Sequence, residues 1–163
     1  MPLDLVRIDD RLVHGQVVIA WGSYLNTTKI ILCHDEIAQS EFEKELYMNA
    51  EEIAPHPMKI CVCTQQETLQ KLFDETVEKS ERIILLIESP REVLKLISAG
   101  LNIARINVGG MHYRKGKRQI ASYIYVDEED ILCFKKLHQM GIRIEGKDVP
   151  DAKAIDILQI VEA

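Results

Sequence analysis

Positive charge, long apolar runs and cysteine are all in short supply in this chain, and each shortage removes a class of function. Its 163 residues carry 20 Lys and Arg against 26 Asp and Glu, a formal net charge of -6. A nucleic-acid binder ordinarily presents a basic face, so the acidic total argues against that class. The most apolar runs, VVIAW from Val17 and IILLI from Ile83, fall far short of the ~20 residues that cross a bilayer. No membrane span is expected. The amino terminus, MPLDLVRIDD, has no basic segment followed by an apolar one and a small-residue cleavage site, so no secretory signal is read and the cytoplasm is the expected compartment. Cys33, Cys61, Cys63 and Cys133 do not form the dense pattern of a small disulfide-stapled domain, and reduced, mostly buried thiols are expected. Two phosphate-binding signatures are also missing: neither GxxxxGK[ST] nor a GxGxxG after the first strand occurs. With no repeat, low-complexity tract or linker, residues 1–163 read as a single domain.

What is present is an alternation of strand-like apolar runs with capped amphipathic stretches, the pattern of an α/β protein with a mainly parallel sheet and helices on its faces. Strands are expected at Leu3–Ile8, Lys29–Cys33, Met58–Cys63, Arg82–Ile87 and Ile103–Val108, with a sixth at Gln119–Val126. Capping-box spacing marks helix starts at Ser40 with Glu43, Thr64 with Glu67 and Ser89 with Glu92. The last adds Pro90 at the first helical position and Gly100 as a left-handed stop. Val17, Val18 and Ile19 favour a strand by propensity, but a parallel crossover is needed before Lys29, so a helix is expected there. Asp127 caps a helix through Met140 that Gly141 stops; an extended piece near Ile142–Val149 leads to a closing helix from Pro150.

Ligands of open α/β sheets sit beyond the carboxyl ends of the strands. Among the residues so placed, DDRLVHGQ is the richest, with Arg11 and His14 in one loop just before a helix. A helix start offers unpaired amides and the positive end of its dipole to an anion, and Gly15 would allow close backbone approach. Neutral imidazole is a competent nucleophile near pH 7, and phosphoryl transfer demands in-line positioning with charge stabilisation on the equatorial oxygens. Arg11 can grip two of those oxygens with its planar fork. The bland alternative, a structural or surface histidine, stays open on chemistry alone.

RIDDRLVHGQV from Arg7 to Val17, CHDEIAQSE from Cys33 and INVGGMHYRKGKRQI from Ile106 to Ile120 resemble segments of the IIB subunits of the mannose/fructose/sorbose family of the bacterial phosphoenolpyruvate:sugar phosphotransferase system. The likeness covers essentially the whole chain. It implies a three-layer α/β/α sandwich around a mainly parallel open sheet of about six or seven strands. By position, His14 matches the phosphorylated histidine and Arg11 an arginine that holds the phosphoryl group. Asp10 lies in the same loop and could orient either side chain; Gly15 and Gln16 are taken with Arg11 as phosphoryl-binding. The resemblance implies a cytoplasmic carrier, peripherally associated with a membrane transporter, that accepts a phosphoryl group from the phosphohistidine of IIA and passes it to a sugar held by the membrane subunits IIC and IID. No cofactor or metal is implied, and a homo-oligomer stays open.

Competing readings remain for several residues. His14, His34, Asp35 and His112 could be imagined as a metal site of a hydrolase, although their spacing is no recognised ligand signature. A non-catalytic module binding a phosphorylated ligand at the same helix start is a second alternative. Cys61 and Cys63 face one side of a strand, which suits core packing. Trp21 and Tyr24 read as core and interface residues, and EFEKELYMNAEE from Glu41 as a solvated helix face. Arg114, Lys115, Lys117 and Arg118 form the strong local positive cluster, read either as a docking surface for the phosphorylated partner or as a solvated loop.

Overall fold

The alternation of apolar runs and helix caps is carried through the chain of the computed structural model, which describes residues 3–74, 76 and 79–162. β1 (Leu3–Asp9) is followed by a segment that is π-helical over Gln16–Trp21 and becomes α1 over Gly22–Leu25. Next come β2 (Lys29–Cys33), α2 (Asp35–Ala38), α3 (Glu41–Met48), β3 (Lys59–Cys63), α4 (Gln65–Phe73) and β4 (Ile83–Ile87). They are succeeded by α5 (Pro90–Ser98), β5 (Arg105–Gly110), β6 (Arg118–Ala121), β7 (Ile124–Val126), α6 (Glu128–Gln139), β8 (Arg143–Gly146), β9 (Ile155–Asp156) and α7 (Ile157–Val161). Seven strands hydrogen-bond in the order β3-β2-β4-β1-β5-β8-β9, and β6 with β7 makes a separate two-stranded sheet. The pairs β2–β3, β1–β5 and β5–β8 are parallel, while β9 runs antiparallel to β8. The protein is therefore α/β with a mostly parallel sheet.

Two compact units are distinguished, one made of residues up to Val6 with Leu12–Leu86, the other of Arg7–Arg11 with the residues from Ile87 onward. In the first, β2 and β3 pair in register from Lys29 with Lys59 to Cys33 with Cys63. Val17, Val18 and Trp21 of the first helical segment join Ile30, Leu32, Ile60, Val62, Ile84 and Leu86 in one core. Tertiary burial thus overrides the strand propensity of the β-branched run. Gly22 lets that segment approach closely, since a Cβ there would lie 2.7 Å from Met58 Cε. Thr64 and Glu67 cap α4 reciprocally, and Ser40 accepts from the Glu43 amide at 3.3 Å.

In the second unit, Arg7, Ile8 and Asp9 of β1 lie against Asn107, Val108 and Gly110 of β5, with a bulge between Ile8 and Asp9. A second reciprocal cap, Asp127 with Asp130, starts α6, where an aspartate does what the sequence rule seeks from Glu or Gln. Gly141 follows at φ 85 and Gly100 follows α5 at φ 118, both left-handed stops.

Two expectations are corrected. Gln119–Val126 is not a sixth strand of the main sheet: the chain turns at Ser122 and Tyr123, and the two arms pair with each other. No helix starts at Pro150; Ala152 donates to Val149 O at 3.2 Å in a turn. The closing helix waits for Asp156, whose carboxylate caps the Leu158 and Gln159 amides.

Candidate functional site

In the second unit the carboxyl ends of β1 and β5 and the residues after β8 meet around Arg7 and Asp9, the latter a carboxylate to which the sequence alone assigns no role. Asp9 and Arg7 are both fully buried. Asp9 Oδ1 accepts from the backbone amide of Arg11 at 3.1 Å and from its Nε at 3.0 Å, while Oδ2 accepts from Arg11 Nη2 at 2.9 Å. This side-on, two-oxygen contact sets the plane of the Arg11 guanidinium, whose side chain remains 34% exposed. Asp9 Oδ2 also accepts from Arg7 Nη2 at 3.1 Å. Arg7 in turn donates to Asn107 Oδ1 at 2.7 Å and to the carbonyls of Lys147 and Asp148, each at 3.0 Å. Burial pulls the Arg7 pKa down and Asp9 opposes it; arginine stays charged, so the buried arrangement is a cation between two anchors rather than a neutral group.

Two glycines make room for it. A Cβ on Gly109 would stand 1.9 Å from Arg7 Cζ, and one on Gly110 2.9 Å from Asp9 Oδ1. The backbone at the end of β5 is the floor on which both arginines lie, and Arg11 Nη2 reaches Gly109 O at 3.5 Å.

Asp10 takes a different partner from the one expected. Its Oδ2 accepts from the His112 amide at 2.7 Å, and its Oδ1 contacts His112 Nδ1. The carboxylate that orients Arg11 is Asp9, and Asp10 ties the chain after β1 to the chain after β5.

In the first unit His14 is half-buried and its carbonyl accepts from the amides of Val17 at 3.1 Å and Val18 at 3.0 Å, which starts the helix. Leu12, buried and with φ 64, turns the backbone through the left-handed region two residues earlier. Gly15 has helical dihedrals, and apart from its chain neighbours and nearby helix backbone no atom lies within 4 Å of where its Cβ would be. Packing against residues distant in the chain therefore does not require glycine there. Gln16 is half-buried at the head of the π-helical stretch.

The basic loop divides. Gly116, at φ 91, forms a turn closed by Lys117 N to Arg114 O at 3.0 Å. Arg114, Lys115 and Arg118 are exposed, but Lys117 is largely buried and its Nζ lies 2.9 Å from Asp130 Oδ2 at the start of α6.

The remaining candidates have structural roles. His34 Nδ1 caps α2 by accepting from the Ile37 amide at 3.2 Å, and Asp35 accepts from the Gln65 amide at 2.8 Å. Among the described residues no group of three His, Cys, Asp or Glu side chains is arranged to hold a metal. The four cysteines are free, and burial pushes the Cys63 thiol up to about 11, which removes it as a nucleophile at neutral pH. Trp21 is core, whereas Tyr24 is exposed against its edge. Among the described residues no helix is long and apolar enough to cross a membrane.

Residues 3–163 match the family described as PTS system sorbose subfamily IIB component. The sorbose-specific EIIB component of Lacticaseibacillus casei is 31% identical over 162 residues, covering 99% of this chain and 96% of that protein. The mannose-specific EIIAB component of Escherichia coli K12 is 35% identical over 165 residues, 99% of this chain but 50% of the relative. The crystal structure of the IIBSor domain of the sorbose permease from Klebsiella pneumoniae superposes with a TM-score of 0.90 at 31% identity, covering 99% of this chain and 97% of that one.

Proposed function

The chain belongs to the sorbose subfamily of IIB components of the sugar phosphotransferase system, and from that membership we propose that it is a cytoplasmic phosphoryl carrier, peripheral to its transporter, whose acceptor is His14. An imidazole nitrogen of His14 attacks the phosphorus of phospho-IIA, the IIA imidazole leaves, and the phosphoryl group rests on His14. It then passes to a hydroxyl of a sugar held by the membrane subunits IIC and IID, the hydroxyl proton being released. Neither step needs covalent chemistry beyond the imidazole, so the protein's task is to position the group and neutralise the equatorial oxygens.

The observation that carries this reading is the clamp of Asp9 on Arg11, three positions before His14 in the chain. Two intervening residues hold the two Cα atoms within about 11 Å whatever the backbone does, within reach of an extended arginine. Arg11 then stabilises the phosphoryl oxygens, the space beside Gly15 admits the group, and Gln16 and the first helical amides bind it. Asp10 serves the machinery at one remove, by fixing the His112 segment.

The test is to incubate the protein with phosphoenolpyruvate, the general phosphotransferase components and IIA, and to map the label. Acid-labile phosphate on His14, and none on His14→Ala, is the expected result. Label retained by that variant overturns the assignment, and binding of phospho-IIA without a covalent intermediate would mark a regulatory module.

A further inference from the structure

The segment from Glu41 to Ile53 carries five glutamates against one lysine, so -4 of the chain's net -6 is concentrated there. In α3, Tyr47 and Met48 pack inward against the first unit's core. Phe42 and Leu46, one helical turn apart, therefore point away from it. They are 73% and 56% exposed, and Ile53 in the turn that continues α3 is 52% exposed. Sequence patterning reads this helix as a solvated charged face, but its outward stripe is apolar. Glu41, Glu43, Glu45 and Glu52, all exposed, surround it, whereas Glu51 is partly spent on the Ile60 amide at 2.7 Å. Two large side chains turned to solvent on one helix face with a charged rim have the anatomy of a docking site.

The sign of the rim selects the occupant. A phosphorylated IIA brings a dianion, and a lipid headgroup surface of the cytoplasmic leaflet is itself negative; both are repelled. Cytoplasmic loops of membrane-embedded proteins carry an excess of Lys and Arg. We infer that the Phe42–Leu46 face of α3, with its glutamate rim, docks onto the basic cytoplasmic loops of the membrane-embedded IIC and IID subunits. The inference rests on the carrier reading above and adds to it the surface used at the membrane. It also assigns the two partners to different segments of the chain: the acidic face receives the transporter, and the basic residues after β5 are left for IIA.

The experiment measures sedimentation of the full chain with inside-out vesicles containing IIC and IID, with vesicles lacking them, and with protein-free liposomes containing anionic phospholipid. Phe42→Ala with Leu46→Ala, a change to a better helix former, is expected to bind IIC/IID vesicles about tenfold more weakly, the scale of losing two apolar anchors. Glu45→Lys with Glu52→Lys is expected to weaken binding similarly and to reduce its salt dependence. Both variants should melt like the parent and accept label from phospho-IIA at the parent rate. Unchanged binding overturns the proposal, as does a parent that ignores IIC/IID vesicles. Equal loss on vesicles without the subunits or on liposomes assigns the face to lipid, and a parallel loss of transfer from IIA assigns it to IIA; either overturns it. A parent that takes no label at all fails the carrier reading instead, which the binding measurement does not depend on.

Discussion

A guanidinium held through Nε and Nη2 by one carboxylate has its plane set before any ligand arrives, and Asp9, buried and itself steadied by Arg7, supplies that carboxylate for Arg11. Pre-set orientation is what a loose surface arginine lacks, because its rotamer entropy must be lost at the moment of transfer. Lysine keeps the charge but has a single nitrogen, so it cannot hold Asp9 and direct a second bond to a phosphoryl oxygen in the same way. Arg11→Lys is therefore expected to slow single-turnover transfer from phospho-IIA by roughly ten- to a hundredfold, the effect of losing about 1 to 3 kcal/mol from one charge-assisted bond. An unchanged rate would show that Arg11 does not hold the phosphoryl group.

At the scale of elements, the loop between β5 and β6 and the first turn of α6 are one construction. Asp130 is part of the cap that begins α6, and burial raises its pKa while Lys117 opposes the rise. Removing Lys117 leaves a largely buried carboxylate with its cap bond but no cation. Lys117→Ala is thus expected to cost about 1 to 3 kcal/mol in urea unfolding, whereas Lys115→Ala, exposed and away from such a pair, should stay within about 0.5 kcal/mol of the parent. Equal values for the two would mean that the Lys117–Asp130 pair contributes nothing. The same division shows how far a charge run in sequence can be read: four basic residues in five positions look alike, but only Arg114, Lys115 and Arg118 present their charge to solvent.

Across the whole molecule, a net charge of -6 opposes the approach of a phosphorylated partner unless the field is reversed locally. Arg114 and Lys115 are the exposed cations of the loop between β5 and β6, with Arg118 exposed at the start of β6, and the effect of the loop pair belongs to the encounter rate, screened beyond about 8 to 10 Å at physiological salt. Neutralising them together as Arg114→Gln and Lys115→Gln should slow second-order transfer from IIA and flatten its dependence on ionic strength, with stability unchanged. Rapid-quench rates with the parent's salt slope would make these charges merely solvated. The variant leaves Lys117 in place, so a loss of rate cannot be mistaken for a loosened α6.

The strand and helix pattern was legible in the sequence because its causes are local. An apolar run such as Ile83–Ile87 can be buried only as an interior strand or helix, Thr64 with Glu67 is a cap within four residues, and Gly100 and Gly141 take a dihedral that other residues resist. Motif resemblance likewise singled out Arg11 and His14, which lie in one loop. Tertiary structure alone decided what depends on distant partners. Gln119–Val126 carries β-branched and aromatic residues on both sides of Ala121 and Ser122, yet a turn at Ser122 and Tyr123 folds it on itself, because its pairing is settled by which edge is available rather than by its own residues. The sequence assigns Arg7 no role and leaves Gly109 and Gly110 beyond a strand that ends at Val108; only the packing of β1 on β5, about a hundred residues apart in sequence, shows that the glycines lie in the strand and seat the arginines. For the same reason Asp9 and Asp10, neighbours of equal chemistry, could not be told apart from the sequence: Asp9 closes β1 and bonds Arg7 and Arg11, whereas Asp10 lies in the turn just beyond the strand and bonds His112.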